Sequence, residues 1–337
     1  MARPFSAAFV LIGVLALGSP AAAAPSWSPP RTSNGRPDLS GVWSNASQTR
    51  LTRSPGTPLV VSRAQAEAVA KAVERGMDAD AAPSTDHDRP PPAVNAISQG
   101  YNSFWVDSSG LATVKGQFRA SWIVDPADGQ LPLSAAGRQR VERDRVARGT
   151  DQAAGPEALM PWDRCLISSR GTGGPGMLNN LYNSNYQFVQ TPGAVAILVE
   201  MVHDVRTVPL FPDKAAAQAG HGPAALHPWL GDSVGWWEGD TLVVETVNVH
   251  PEQGRTGPIY LSPGGRVTER FTRVSERQVL YEFAVEDPAY YSRPWRTEMS
   301  LNASKDQIFE FACHEGNYAM SGILAGARAA TASPAGP

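Results

Sequence analysis

The feature that most constrains this chain is an alternation of apolar and polar residues that sets in at Tyr186 and recurs almost to the C-terminus. It occupies 186–190, 194–210, 241–249, 266–274, 278–285, 295–301 and 307–313. A period of two sends successive side chains to opposite faces of a strand. Most of the breaks are short and turn-forming: Thr191-Pro192-Gly193, Glu238-Gly239-Asp240 and Ser275-Glu276-Arg277. Strands joined by so few residues must be antiparallel neighbours, because a parallel pair needs a long crossover. The expectation is a mostly β fold, an antiparallel meander that closes into a barrel, with a short strand at Gly41-Val42-Trp43 available to complete the ring. The 31 glycines and 29 prolines among 337 residues suit many turns better than a helical bundle.

The N-terminal third has another texture. Ser62 and Gln65 are spaced as a capping box, so a helix should start there and stop at Gly76. Residues 77–100 are Asp- and Pro-rich and read as loop, 118–124 as a strand, and Ser134 to about Arg148 as a second helix. These pieces form a helical and loop insertion at about 45–160 within a single domain spanning 25–328, and 329–337 should be a disordered tail.

Ahead of the domain stands Met1-Ala2-Arg3, an apolar stretch from Phe5 to Leu17, and Ala22-Ala23-Ala24. One positive charge, a short apolar core and small residues are the parts of a secretory signal peptide, here residues 1–24, so the protein should be periplasmic or secreted. No later stretch is long and apolar enough to insert in a membrane. The chain has two cysteines, Cys165 and Cys313, and in an exported protein they should be bridged. With 29 basic and 32 acidic side chains there is no positive field for nucleic acid.

Side-chain parity selects the candidate ligand-binding groups. Glu200, Glu245, Glu269, Glu282, Glu298 and Glu310 fall one per strand and read as one sheet face, either a solvated exterior or a charged lumen around a polar ligand. By the same parity Asp204 and Arg206 share the face of Glu200, and His203 points the other way. Trp236, Trp237, Trp295, Tyr186, Tyr290 and Tyr291 are either β-core residues or the lining of a pocket for a ring-bearing ligand.

Many separate strings also resemble, in order, a family of exported, functionally uncharacterised bacterial proteins. They include Val199-Glu200-Met201-Val202-His203-Asp204, Gly231-Asp232-Ser233, Trp237-Glu238-Gly239-Asp240-Thr241-Leu242-Val243-Val244-Glu245-Thr246, Glu269-Arg270-Phe271-Thr272-Arg273-Val274 and Cys313-His314-Glu315-Gly316-Asn317-Tyr318. The resemblance covers most of 37–328 and implies export rather than any activity. The Gly41-Val42-Trp43 strand leading a meander resembles lipocalin-like (calycin-type) barrels, and implies that fold.

The strongest chemical candidate is His314. It shares strand parity with Glu310, whose carboxylate would orient the imidazole for proton transfer, and the expected bridge at Cys313 would pin it. His203 and Asp204 are the second catalytic pair. Glu200, Arg206, Trp237, Glu282, Arg293, Trp295, Asn317 and Tyr318 are the candidate substrate-binding residues. Gly231-Asp232-Ser233-Val234-Gly235 spells the nucleophile elbow of serine hydrolases, but Trp236-Trp237 and a hairpin turn come next, where the elbow needs a helix. No two histidines have metal-ligand spacing, so no metal is expected. The absence of a Gly-rich nucleotide loop argues against a nicotinamide or ATP enzyme and for no cofactor. The functional expectation is an exported enzyme doing cofactor-independent acid–base chemistry (a lyase, isomerase or hydratase) on a small organic molecule. The alternatives are a periplasmic lipocalin-like binding protein and a serine hydrolase acting through Ser233.

Overall fold

A computed structural model describes residues 27–81, 105–149, 155–168, 171–313 and 318–332. The expected signal segment, His314 and Asn317 lie outside the described residues. In chain order the strands and helices begin with β1 (Gly41–Ser44), β2 (Val60–Val61), α1 (Arg63–Ala81), β3 (Thr113–Val114), β4 (Gln117–Arg119), β5 (Ile123–Asp125) and α2 (Ala135–Gly149). Next come β6 (Asn185–Gln190), β7 (Ala194–Val199), β8 (Val205–Phe211), α3 (Lys214–Ala219), β9 (Asp232–Glu238) and β10 (Thr241–Val247). The chain continues through α4 (Pro251–Gly254), β11 (Arg266–Ser275), β12 (Gln278–Glu286) and β13 (Trp295–Ala303) to α5 (Tyr318–Ala332).

Nine strands close a calycin-like barrel in the order β1, β6 through β13, and back to β1. Closure is made where Trp43 and Ser44 pair with Ala303 and Asn302, while β1 pairs with β6 along its other edge. β5 adds to the far end of β13, and β2, β3 and β4 form a separate small sheet. The barrel is mixed rather than purely antiparallel, because β8 and β9 run parallel, Leu210 opposite Gly235 and Phe211 opposite Trp236. The intervening α3 and its flanking loops supply the crossover that a parallel pair requires.

Buried apolar residues of alternate parity fill the interior, among them Tyr186, Ile197, Val244, Phe271, Tyr281, Phe283 and Trp295. The lower end is shut by the N-terminal segment. Leu39 is fully buried there, Trp43 donates its indole N–H to Leu39 O at 2.9 Å, and the Arg273 guanidinium lies 5.4 Å from the Trp43 ring centroid. The upper end carries the longer connections.

Several expectations need correction. The stretch 194–210 is two strands, because Met201–His203 form a 3-10 turn in which Val202 (φ 60°) and His203 (φ 45°) leave extended geometry. A strand, β9, occupies Asp232–Glu238, which is not among the expected strands, and 307–313 is not a strand. α1 runs through Gly76 to Ala81, although the capping box is present, Gln65 N–H on Ser62 Oγ and Ser62 N–H on Gln65 Oε1. Residues 329–332 of the expected tail belong to α5, whose alanines have the highest helix propensity; 333–337 lie outside the described residues.

The glutamates do not share a face. Glu282 and Glu298 point outward, Glu298 meeting Lys115 at 3.0 Å and Arg119 at 2.9 Å. Glu245 also points outward but is covered by α3 and its C-terminal loop, through Gln218 and His221. Glu310 is exposed, and Glu200 caps the β6–β7 end, accepting from Asn185 Nδ2 at 2.7 Å. Only Glu269 enters the lumen. Its neighbours Thr268 and Arg270 are polar, and its second neighbours Val267 and Phe271 are fully buried, so it has the parity of the core.

Candidate functional site at the upper mouth of the barrel

Below the upper mouth the lumen holds a sealed polar network. Glu269 forks onto Arg206, with Nη1 at 3.1 Å from Oε1 and Nη2 on Oε2; both side chains are almost wholly buried. Arg206 Nη2 also reaches Thr246 Oγ1 at 3.3 Å and Ser233 Oγ at 3.4 Å, and these two hydroxyls lie 2.8 Å apart. Tyr281 donates its phenol to Glu269 at 2.6 Å. Burial, and then the neighbouring carboxylate, push that phenol well above the usual tyrosine range. Desolvation opposes the Arg206 charge, but Glu269 outweighs it and holds the guanidinium ionised.

A glycine-rich segment, Gly171-Thr172-Gly173-Gly174-Pro175-Gly176, descends onto this network. Gly176 N–H donates to Glu269 Oε1 at 3.2 Å and Met177 N–H to Tyr281 Oη at 2.7 Å. The approach is so close that a Cβ on Gly174 (φ +88°) would lie 2.5 Å from Arg206 Nη1. This segment literally spells the Gly-x-Gly-x-x-Gly pattern, contrary to the expectation that the chain has no Gly-rich loop of that kind. No strand or α-helix lies between α2 and β6 among the described residues, so the strand–turn–helix context of a nucleotide loop is missing. Its glycines serve instead to let backbone occupy the barrel interior.

Above the segment lies a cleft walled by Ser168, Gly173, Gly174, Leu230, Gln253 and Thr256, with further lining from neighbouring residues. Asp204 abuts its wall. Ser168 N–H donates to Asp204 Oδ2 at 2.8 Å, and a Cβ on Gly173 would come within 2.9 Å of the same oxygen. Burial raises the Asp204 pKa above the ordinary carboxylate range, and the Ser168 N–H restrains the rise. Gln253 braces the cleft, donating to Gly174 O and accepting from Leu230 N–H, both at 2.8 Å. On the adjoining rim Trp229 stacks on His250 with centroids 3.9 Å apart, and Arg164 pairs with Glu252 at 2.9 Å. The His250 pKa is lowered, chiefly by burial. Glu252 opposes the shift, and the neighbouring His227, Arg164 and Arg255 add to it.

Backbone strain concentrates at this end. Among the described residues, the non-glycine residues with positive φ are Cys165, Asn183, Val202, His203, Leu230 and Asn248, all in upper connections, and Lys115 as the exception. Such conformations cost about 1–3 kcal/mol each and persist where the surroundings impose them, commonly at functional sites. Cys165 and Cys313 are bridged, with Cα atoms 6.0 Å apart, which ties the C-terminal segment to this end.

The expected site residues are thus dispersed. Asp204, Arg206 and Glu200 gather at the upper end, Arg206 pointing into the lumen and His203 into solvent. Trp295 is fully buried core, whereas Trp237 sits at the lower end under Arg36, 5.9 Å from its ring. Arg293 pairs with Asp125 at 3.0 Å in an exposed position, Glu282 is on the outer wall, and Tyr318 is 79% exposed. Ser233 lies on a strand facing Thr246 and Arg206, with no histidine among its hydrogen-bond partners in the described residues. Glu269 as a lumen residue, Tyr281, Ser168 and the His227–Trp229–His250 rim are not apparent from the sequence. Core parity at Glu269 is a signal that could find the first; the others meet only through the fold.

Among the described residues no group of three or more His, Cys, Asp or Glu is arranged to hold a metal ion, and no helix is long and apolar enough to cross a membrane. Set against known proteins, the chain matches no family model, no curated protein and no solved structure.

Proposed function

We propose that this is an exported enzyme carrying out cofactor-independent acid–base chemistry on a small organic molecule at the upper mouth of the barrel. The observation that carries the reading is Asp204: a half-buried carboxyl with a raised pKa, held by one backbone N–H, against a cleft with a glycine wall. A carboxyl whose pKa is raised keeps its proton more readily than an ordinary exposed aspartate, which suits it to proton transfer. The lumen below is filled by core side chains and the glycine segment, and this favours chemistry at the mouth over storage of a ligand inside, as a binding protein would require. The disulfide supports a periplasmic or secreted setting. His314, next to Cys313 in sequence, is the proposed second proton-transfer group.

Asp204→Asn keeps the size and one acceptor for the Ser168 N–H but cannot exchange the proton. On a substrate identified by screening, it should lower kcat by roughly 10²–10⁴-fold with KM little changed. Full turnover by Asp204→Asn would remove Asp204 from the mechanism. A ligand that is bound and always recovered unchanged would assign the protein to binding.

A further inference from the structure

We infer that the cleft seats one reacting water on Ser168, and that the enzyme adds this water to an α,β-unsaturated carbonyl compound or removes it again. The inference deepens the proposed function and rests on it only for Asp204 as the proton acceptor. The cleft has a free volume of about 20 Å³, room for one water. Most of its side-chain wall is apolar: Ile167, Leu230, Val249, Ile259 and Leu261. Ser168 also lines it, at 3% exposure, and its hydroxyl is buried with no hydrogen-bond partner among the described residues. A buried hydroxyl left unbonded is costly, and a site this small completes it with a single oxygen. Gln253 and Thr256, the other polar side chains of the lining, keep hydrogen-bonding capacity of their own. Gln253 Nε2 spends one of its two hydrogens on Gly174 O, and Thr256 Oγ1 donates to Gln253 O at 2.8 Å and retains its lone pairs. With Ser168 they offer the two to four polar partners that an ordered water needs.

Ser168 connects this water to Asp204. Its backbone N–H donates to Asp204 Oδ2 at 2.8 Å, and its hydroxyl lies near enough to the same carboxyl to restrain the rise in pKa. Gly173 shows how closely the two oxygens converge: a Cβ there would lie 2.6 Å from Ser168 Oγ and 2.9 Å from Asp204 Oδ2. A hydroxyl both donates and accepts, so Ser168 can take a proton from the water while passing its own to Asp204. In hydration the water oxygen bonds to the β carbon of the alkene, and one water proton leaves through Ser168 to the Asp204 carboxylate. The alkene π pair shifts to the α carbon, where the adjacent carbonyl spreads the charge, and that carbon takes a proton from solvent. Asp204 then returns its proton to solvent, so one water is consumed and nothing else. Dehydration reverses each step, with Asp204 giving its proton through Ser168 to the departing hydroxyl. The conjugated carbonyl is required because proton transfer alone does not stabilise the displaced pair on an unactivated carbon.

The test starts with the wild-type, disulfide-bonded protein and water itself as the probe. A high-resolution crystal structure should show one ordered water within hydrogen-bond distance of Ser168 Oγ, and Ser168→Ala should lose it with the fold unchanged. A panel of α,β-unsaturated acids, amides and ketones is then incubated in water labelled with heavy oxygen. At least one should gain a single labelled oxygen at the β carbon, in one product. On that compound Ser168→Ala should lower kcat by roughly 10²-fold or more with KM little changed. No ordered water at Ser168, no hydration anywhere in the panel, label uptake with cleavage into two products, or full turnover by Ser168→Ala would each overturn the inference. Should Ser168→Ala fail to fold, the wild-type structure and the label still decide. Turnover that depends on Asp204 but takes up no label sinks the water inference alone. Label uptake that depends on Ser168 and not on Asp204 sinks the Asp204 mechanism alone.

Discussion

Glu269 and Arg206 sit in the lumen at 0% and 1% exposure, and what each contributes depends on the other being present. Removing one partner leaves the remaining charge buried and uncompensated, which costs about 3–5 kcal/mol in comparable pairs. Glu269→Gln should therefore destabilise the protein by that amount in urea unfolding. Combining it with Arg206→Met should cost clearly less than the sum of the two single changes. Strict additivity would mean that the pair is not coupled as its geometry indicates. The same residues mark the reach of local pattern. Arg206 stands out at the polar end of an apolar run, yet Glu269 looks like one more outward glutamate until its second neighbours are compared with the core. Asp204 is legible as a titratable group leaving a strand. Its contact with Ser168 is not, because the two are joined by no local pattern and meet only when the upper connections fold over the mouth.

The elements most legible in the sequence are β10 to β13, where alternation is regular and the short turn between β11 and β12 fixes those two as neighbours. β7 and β8 read as one strand because Glu200-Met201-Val202-His203-Asp204 contains neither Gly nor Pro to mark the reversal. There Val199 N–H bonds to Asp204 O at 2.8 Å, and the chain turns on two residues with positive φ instead. The glycine segment is the least legible piece, since it has no periodicity of its own, and it positions the site by linking the sealed network to the cleft. A side chain at Gly174 meets both a positive φ and the Arg206 guanidinium. Gly174→Ala should destabilise by about 1–3 kcal/mol or more, and should raise hydrogen exchange at Gly176 and Met177, whose N–H groups depend on that docking. An unchanged melting curve would show that the segment is not held as described.

For the whole molecule, the barrel and the bridge together bind distant parts of the chain. The Cys165–Cys313 disulfide closes a loop with a sequence separation of 148 residues. On the chain-entropy account such a loop is worth up to about 5 kcal/mol through restriction of the unfolded chain. The unfolded, unreduced protein should show no reactive thiol, and Cys165→Ser with Cys313→Ser should lower stability by a few kcal/mol while leaving the strand signature in circular dichroism. Two thiols in the unreduced protein would refute the bridge. Closure of the ring has a separate consequence, for assembly in time. β1 is among the first strands to leave the ribosome or translocon and its partner at Ala303 among the last, so Trp43 has one side of its strand unpaired until nearly the whole chain has arrived. Contacts between such remote residues slow folding, because the connecting chain must be ordered before the pairing stabilises it. The barrel should thus form as an open curl with an exposed edge, vulnerable to intermolecular pairing, and become safe from it in one late step when β13 meets β1.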